Sequence, residues 1–116
     1  MTVDYCVVLS TCPDEPQALS IARAVVEQGL AACVNLSRGA LSVYRWQGEI
    51  HQTPECALVI KTIATHIPAL EALIRSLHSY QTPEFLVLPV SGGSEDYLQW
   101  LVDSCAIAPR IEDNPV

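Results

Sequence analysis

Basic residues are scarce in this 116-residue sequence, which has six lysines and arginines against thirteen aspartates and glutamates, a formal net charge of −7. Lys61 is its single lysine. An acidic surface repels phosphate groups, so we expect no binding to nucleic acid or to anionic lipid. The charge would suit a cation, although a negative net charge is also a common way for a protein to stay soluble.

Long apolar runs are also missing, since none reaches the ~18 residues that a membrane span requires. The first residues have no basic segment ahead of the apolar ones, unlike a secretory signal. The five cysteines include no C-x-x-C pair, which disfavours both a disulfide framework and a zinc knuckle. We therefore expect a soluble cytoplasmic protein with free thiols.

Motifs of the common enzyme classes are lacking: no glycine-rich phosphate loop and no nucleophile–base–acid order is found. A non-enzymatic protein is therefore predicted. Cys12 is the one candidate nucleophile, because it stands just before a predicted helix whose dipole would lower its pKa and favour metal ligation or reactivity. The favoured alternative is a small residue in a strand-to-helix turn.

What the sequence does contain is a regular alternation of strand and helix patterns. It predicts strands over 2–9, 30–46, 49–62 and 85–90, with a break from Ser10 to Asp14. Helices are predicted over 15–28, after a cap at Thr65, and after a cap at Ser94. The order βαββαβ with an additional C-terminal helix predicts an α+β, ferredoxin-like domain over 1–107, followed by a flexible tail over 108–116.

The two central strand patterns are long enough to matter for assembly. A bulge is predicted at Gly39, a hairpin turn at Gln47-Gly48, and a break or edge position at Pro54. Each arm runs to a dozen or more residues against a usual ~5–6. Strands that overshoot a small sheet expose their edges, and the sheet face away from the helices is left bare, so we expect an oligomer.

His78 is the histidine best placed for chemistry. It ends the second predicted helix, and a loop with Tyr80 and Glu84 follows. Imidazole, thiolate and carboxylate together suit copper or zinc, although their spacing matches no known ligand pattern. His51 and His66 are predicted to be solvated surface residues.

Six blocks of the sequence together resemble one family, the CutA divalent-cation tolerance proteins. They cover nearly the whole chain, from about Tyr5 to Val102, in a compatible order. The blocks are Thr11-Cys12-Pro13-Asp14, Leu30-Ala31-Ala32-Cys33-Val34-Asn35, Tyr44-Arg45-Trp46-Gln47-Gly48-Glu49-Ile50, Lys61-Thr62, His78-Ser79-Tyr80-Gln81-Thr82-Pro83-Glu84 and Tyr97-Leu98-Gln99-Trp100-Leu101.

The resemblance implies a ferredoxin-like subunit similar to the PII signalling proteins, assembled as a cytoplasmic homotrimer and linked to tolerance of copper and other divalent cations. Some members use a cysteine at the end of the first strand and a histidine pair at the end of the second helix as copper ligands. Here those positions are Ser10 and Leu77-His78. The carried-over metal ligands are therefore His78 and, two residues beyond Ser10, Cys12, with Cu(II) or another divalent cation as the ion.

The remaining signature residues are expected at subunit interfaces or in the clefts between subunits. They are Cys33, Tyr44, Trp46, Lys61, Tyr80, Glu84 and Trp100. A lysine inside a strand needs solvent or an anionic partner, for which Glu84 is the candidate. The alternative function is that of a PII-like signalling trimer in which Lys61 and Arg45 hold a small anionic effector.

Overall fold

The computed structural model of the chain describes residues 3–105. Its elements are β1 (Tyr5–Cys12), α1 (Glu15–Glu27), β2 (Cys33–Trp46), β3 (Glu49–Ile63), α2 (Ile67–Leu77), β4 (Leu86–Pro89) and α3 (Glu95–Cys105). The four strands form one antiparallel sheet in the order β2-β3-β1-β4. The predicted α+β ferredoxin-like arrangement with its extra helix is confirmed. The predicted tail over 108–116 lies outside the described residues.

The core lies on one face of this sheet, where buried positions of β1 alternate along the strand. Val8 faces Ile60 of β3, and the side chains of both are fully buried among residues of α1 and α2. The predicted break after Leu9 is wrong, because β1 continues to Cys12. Ser10 and Thr11 look like turn residues, but each pairs with a residue of β3, so cross-strand hydrogen bonding overrides the local polarity.

Helix α1 begins and ends where its local chemistry predicts. The Asp14 carboxylate accepts a hydrogen bond from the backbone N–H of Gln17 at 2.9 Å, satisfying one of the free donors of the first turn. Gly29 follows the helix with a φ of 73°, a conformation that costs glycine nothing. The buried face of α1 consists of Ala18, Ile21, Ala22 and Val25.

The long hairpin of β2 and β3 has strands of 14 and 15 residues. Gly39, with a φ of 81°, lies in the register shift between Ser37 and Ala40, so the predicted bulge is confirmed. Gln47 and Gly48 make the predicted turn, both with positive φ. Pro54 pairs with β2 beyond the stretch of β3 that β1 covers. It therefore occupies an edge position, as its missing N–H requires.

The start of the second helix differs from the prediction. Thr65 does not cap it, because residues Ala64–His66 form a short 3₁₀ turn and His66 holds the cap position without a side-chain hydrogen bond. Pro68 does lie in the first turn. The helical spacing of apolar residues predicts that Leu70, Ile74 and Leu77 are all buried; Leu70 and Ile74 are, but Leu77 is 41% exposed.

Large apolar side chains remain exposed along the hairpin arm, β4 and α3. Tyr97 is among them, although the helical pattern predicts that it faces inward. In the part of the chain that the structure describes, no helix is long and apolar enough to cross a membrane. The exposed side chains on these three elements are Leu41, Val43, Tyr44, Trp46, Ile50, Leu86, Val87, Leu88, Tyr97 and Trp100.

Candidate functional site

A concave pocket of about 680 Å³ opens where the hairpin arm leaves the sheet and the loop after α2 folds against it. The hairpin supplies one wall, and residues 80–84 supply the other. The pocket brings together four residues that the sequence predicts for a cleft or interface. These four are Tyr44, Trp46, Tyr80 and Glu84.

Glu55 is the centre of a hydrogen-bond network in this pocket. Its carboxylate accepts a 2.7 Å hydrogen bond from the Tyr80 hydroxyl and a 2.6 Å hydrogen bond from the Ser42 hydroxyl. Burial and the bond to Glu55 raise the pKa of Tyr80. The phenol therefore stays protonated and acts as a donor that holds the Glu55 carboxylate in place.

Glu84 lines the same pocket and contributes a second carboxyl group. Its pKa is raised, first because the group is partly buried and second because the negative charge of Glu55 lies nearby. The backbone around it is fixed, since the Ser10 hydroxyl donates to the Glu84 carbonyl at 2.8 Å. The negative charges of Glu55 and Glu84 thus repel each other within one pocket. A cation bound near them would stabilise the ionised form of both carboxyl groups.

His78 is buried, with 8% of its surface exposed, and both ring nitrogens have partners. Nε2 lies 2.7 Å from the Thr11 carbonyl oxygen, and Nδ1 accepts a hydrogen bond from the Tyr80 backbone N–H at 3.1 Å. The carbonyl can only accept, so Nε2 carries a proton and donates it, while Nδ1 uses its lone pair for the Tyr80 N–H. The His78 and Tyr80 rings also lie against each other, with centroids 4.8 Å apart. His78 therefore positions the Tyr80 backbone.

Cys12, the other predicted ligand, is fully buried at the end of β1. Burial is the largest cause that raises its pKa to about 11, and the nearby groups Cys56, Asp14 and Glu55 add to it. The expectation of a lowered pKa is wrong, because burial and negative neighbours outweigh the helix dipole. Among residues 3–105, no three histidine, cysteine, aspartate or glutamate side chains form a group that could hold a metal ion.

Lys61 and Cys33 face each other across β2 and β3, away from the pocket lining. The Lys61 ammonium donates to the Asn35 side-chain carbonyl and lies 3.9 Å from the Cys33 sulfur. Glu84, the suggested partner of Lys61, is instead in the pocket. Cys33 lies in an apolar run that predicts a core position, but it is only half-buried, whereas Cys6, Cys56 and Cys105 are buried as their apolar surroundings in the sequence predict.

Trp100 lies outside the pocket on α3, where its side chain is 45% exposed and packs against Tyr97 with ring centroids 5.4 Å apart. Its assignment to an interface stays a prediction. On the hairpin arm, Tyr44 stacks on His51 at 5.6 Å, and its hydroxyl is 3.1 Å from that of Thr53. His51 and His66 are half-buried; His66 Nε2 lies 2.9 Å from the Cys105 carbonyl oxygen.

Glu55 and Ser42 are pocket residues that the sequence does not single out. Both lie on the long hairpin, and Glu55 directly follows Pro54, at positions where the alternating pattern of the arms is weak. A carboxylate inside a predicted strand is a signal in itself, because such a group needs partners. The identity of those partners depends on the loop 25 residues further along the chain.

Known proteins resemble this chain over most of its length. The family model described as CutA1 divalent ion tolerance protein matches residues 6–104. The divalent-cation tolerance protein CutA of Escherichia coli is 48% identical over 95 residues, which are 82% of this chain and 85% of that protein.

Two solved structures extend the likeness to the fold. CutA from Xylella fastidiosa has a TM-score of 0.86 and 44% identity, covering 88% of this chain and 98% of that one. The periplasmic divalent cation tolerance protein CutA from Archaeoglobus fulgidus has a TM-score of 0.85 and 29% identity, covering 87% and 98%.

Proposed function

The chain belongs to the family of CutA1 divalent ion tolerance proteins, and from this premise we propose that it is a non-enzymatic cytosolic homotrimer that binds divalent metal ions, Cu(II) among them. Its contribution to tolerance is then to hold the ion rather than to transform it. The five free cysteines support a reducing compartment such as the cytosol.

The pairing of Glu55 and Glu84 in one pocket is the observation that carries the metal-binding proposal. Two partly desolvated carboxylates repel each other, and a divalent cation between or beside them relieves that repulsion. Oxygen ligands suit hard divalent ions, and Cu(II) accepts mixed oxygen and nitrogen sets. Two carboxylates are an incomplete coordination sphere, so water or a neighbouring subunit supplies the remaining ligands.

The predicted ligands His78 and Cys12 must lose more than the two glutamates do before they can bind a metal ion. His78 must give up its bond to Thr11 or to the Tyr80 N–H before a nitrogen lone pair is free. Cys12 must be deprotonated from a pKa of about 11. Their participation remains a prediction, and it requires a local rearrangement at the end of β1.

The homotrimer is supported by the surface of the chain. Strand β2 is at one edge of the sheet and β4 at the other, and both carry exposed apolar side chains such as Val43 and Leu88. Aromatic residues of the kind that anchor interfaces, Trp46 and Trp100, are nearly half exposed. Copies of the chain that cover these edges also close the pocket at the base of the arm.

Calorimetric titration with Cu(II) tests the metal proposal and discriminates the two ligand sets. We expect Glu84→Gln and Glu55→Gln each to weaken binding about tenfold or more, a loss of ~1.4 kcal/mol. Glu27→Gln is the matched control, because Glu27 is an exposed residue of α1 that pairs with Arg23 and does not line the pocket. If Glu84→Gln and Glu55→Gln leave the Cu(II) affinity unchanged, and His78→Gln and Cys12→Ala abolish it, then the metal ligands are His78 and Cys12 instead. Binding no tighter than millimolar in the wild type would refute the proposal.

Light scattering tests the assembly independently of metal. The expected mass is about three times that of the 12.6 kDa chain. A monodisperse monomer at micromolar concentration would contradict the trimer and would have no bearing on the metal-binding proposal.

The alternative, a PII-like trimer that binds a small anionic effector, has weaker support from this pocket. Among the described lining residues are two carboxylates and no lysine or arginine, and the Lys61 ammonium has its own partners. A thermal-shift screen with nucleotides and organic acids distinguishes the alternatives, since a ligand raises Tm by mass action. A concentration-dependent rise with one of these anions and none with divalent metals would favour the alternative.

A further inference from the structure

Two of the free cysteines face each other across the sheet. Cys12, the last residue of β1, is the direct partner of Cys56 on β3. Both are buried, with 0% and 4% of their surface exposed. Side chains of directly opposed residues leave the sheet on the same face, with Cβ atoms ~4.5–5.5 Å apart.

This register by itself brings the two residues within the range of a disulfide. Opposed Cα atoms in antiparallel strands are ~4.5 or ~5.5 Å apart, and disulfides bridge Cα atoms ~4.4–6.8 Å apart. The electrostatics are consistent with close approach, because Cys56 ranks after burial among the causes that raise the pKa of Cys12.

The other cysteines in residues 3–105 have different neighbours. Cys6 is opposed by Thr62, and Cys33 is opposed by Lys61. The Cys105 sulfur lies 4.0 Å from the Thr62 hydroxyl. Among the cysteines of residues 3–105, Cys12 and Cys56 are therefore the one pair that lies directly opposed on neighbouring strands.

We propose that Cys12 and Cys56 are a redox modification site that forms a cross-strand disulfide when the protein meets hydrogen peroxide. One thiolate attacks a peroxide oxygen, the O–O bond breaks, and a sulfenic acid and hydroxide form. The hydroxide takes the proton that the thiol released and becomes water. The second thiol then attacks the sulfenic sulfur, the S–O bond breaks, and the leaving hydroxide takes the proton of that thiol and departs as a second water. Two thiols lose two electrons, and one peroxide becomes two waters.

The position of the pair links this reaction to the pocket. Thr11 and Glu55, the residues that precede the two cysteines, both line it. The cross-link encloses α1 and β2 in one covalent loop and fixes the two strands relative to each other next to those residues.

The experiment treats the purified full-length protein with hydrogen peroxide, denatures it, and labels the remaining thiols with iodoacetamide. The count of labelled cysteines falls from five to three, with a mass loss of about two hydrogens before labelling. Tryptic digestion without reductant then yields the fragment 1–23 joined to the fragment 46–61.

Alanine variants assign the link, since fragment 1–23 also contains Cys6. Cys12→Ala and Cys56→Ala each lose the joined fragment, whereas Cys6→Ala and Cys105→Ala retain it. Cys33→Ala serves as a background that removes cross-links between chains through the most exposed thiol. Five labelled cysteines after treatment would overturn the proposal, as would over-oxidation of Cys12 without a joined fragment, or a link that survives in Cys12→Ala. The first two of these outcomes are read from the wild type, even if a variant fails to fold.

Discussion

Replacement of His78 gives the sharpest test of how the pocket is supported. The buried ring donates from Nε2 to the Thr11 carbonyl and accepts at Nδ1 from the Tyr80 N–H. His78→Leu keeps an apolar side chain of similar size and removes both bonds. His78→Gln places an amide N–H near the position of Nε2, so it retains the bond to Thr11 and loses the one to Tyr80.

The magnitude follows from what each variant leaves unpaired. One intramolecular hydrogen bond contributes ~0.5–1.5 kcal/mol, and a buried group that loses its partner costs ~1–3 kcal/mol. His78→Gln should therefore lower the free energy of unfolding by about 1 kcal/mol, and His78→Leu by about 2–4 kcal/mol. The prediction is that His78→Leu is the less stable of the two variants.

Urea unfolding at one fixed chain concentration measures the change, because assembly makes apparent stability depend on concentration. A His78→Leu protein within ~0.5 kcal/mol of the wild type would refute the supporting role of the ring. So would His78→Gln being the less stable variant. Loss of Cu(II) binding in either variant with stability unchanged would instead identify His78 as a metal ligand.

Two further predictions concern the Glu84 carboxyl and the bulge in β2. The pKa of Glu84 is raised in the folded state, so its contribution to stability is present below its usual pKa and is lost as pH rises through the folded value. In urea unfolding at a series of pH values above about 4, Glu84→Gln should flatten that decline, and an unchanged slope would contradict the prediction. Gly39 has a φ of +81°, and a Cβ added there would meet no heavy atom within 4 Å, so Gly39→Ala should lower the free energy of unfolding by ~1–2 kcal/mol through backbone strain alone. The control Gly92→Ala, also in open space but without a positive φ, should change it by less than ~0.5 kcal/mol, and equal effects of the two variants would show that the bulge does not need glycine.

The parts of the fold that sequence reasoning predicted correctly depend on local chemistry. Gly39 and the Gln47-Gly48 turn adopt positive φ, and residues that tolerate this conformation are visible in the sequence. The end of β1 was mispredicted because Ser10 and Thr11 are polar. What makes them strand residues is their pairing with β3 and the bond from Ser10 to the Glu84 carbonyl, both of which depend on distant parts of the chain.

The candidate site divides in the same way. Tyr80 and Glu84 were predicted as cleft or interface residues, and the structure brings them into one pocket with Tyr44 and Trp46. Glu55 was missed because its two hydroxyl donors come from another strand and from a loop. The burial of His78 was not predicted because its Nε2 partner is a backbone carbonyl. Every residue has such a carbonyl, so the amino-acid sequence does not reveal which one the ring contacts.

The two prolines at the margins of the sheet bear on how far copies of this chain can add to one another. Pro54 lies on the part of β3 that only β2 pairs, and Pro89 ends the edge strand β4. Neither has an N–H to offer an incoming strand, so each interrupts the continuous ladder that fibril growth by edge-to-edge stacking requires. The free edge of β3 and the end of β4 are thereby protected at these two positions from the addition of further strands in an amyloid-like stack.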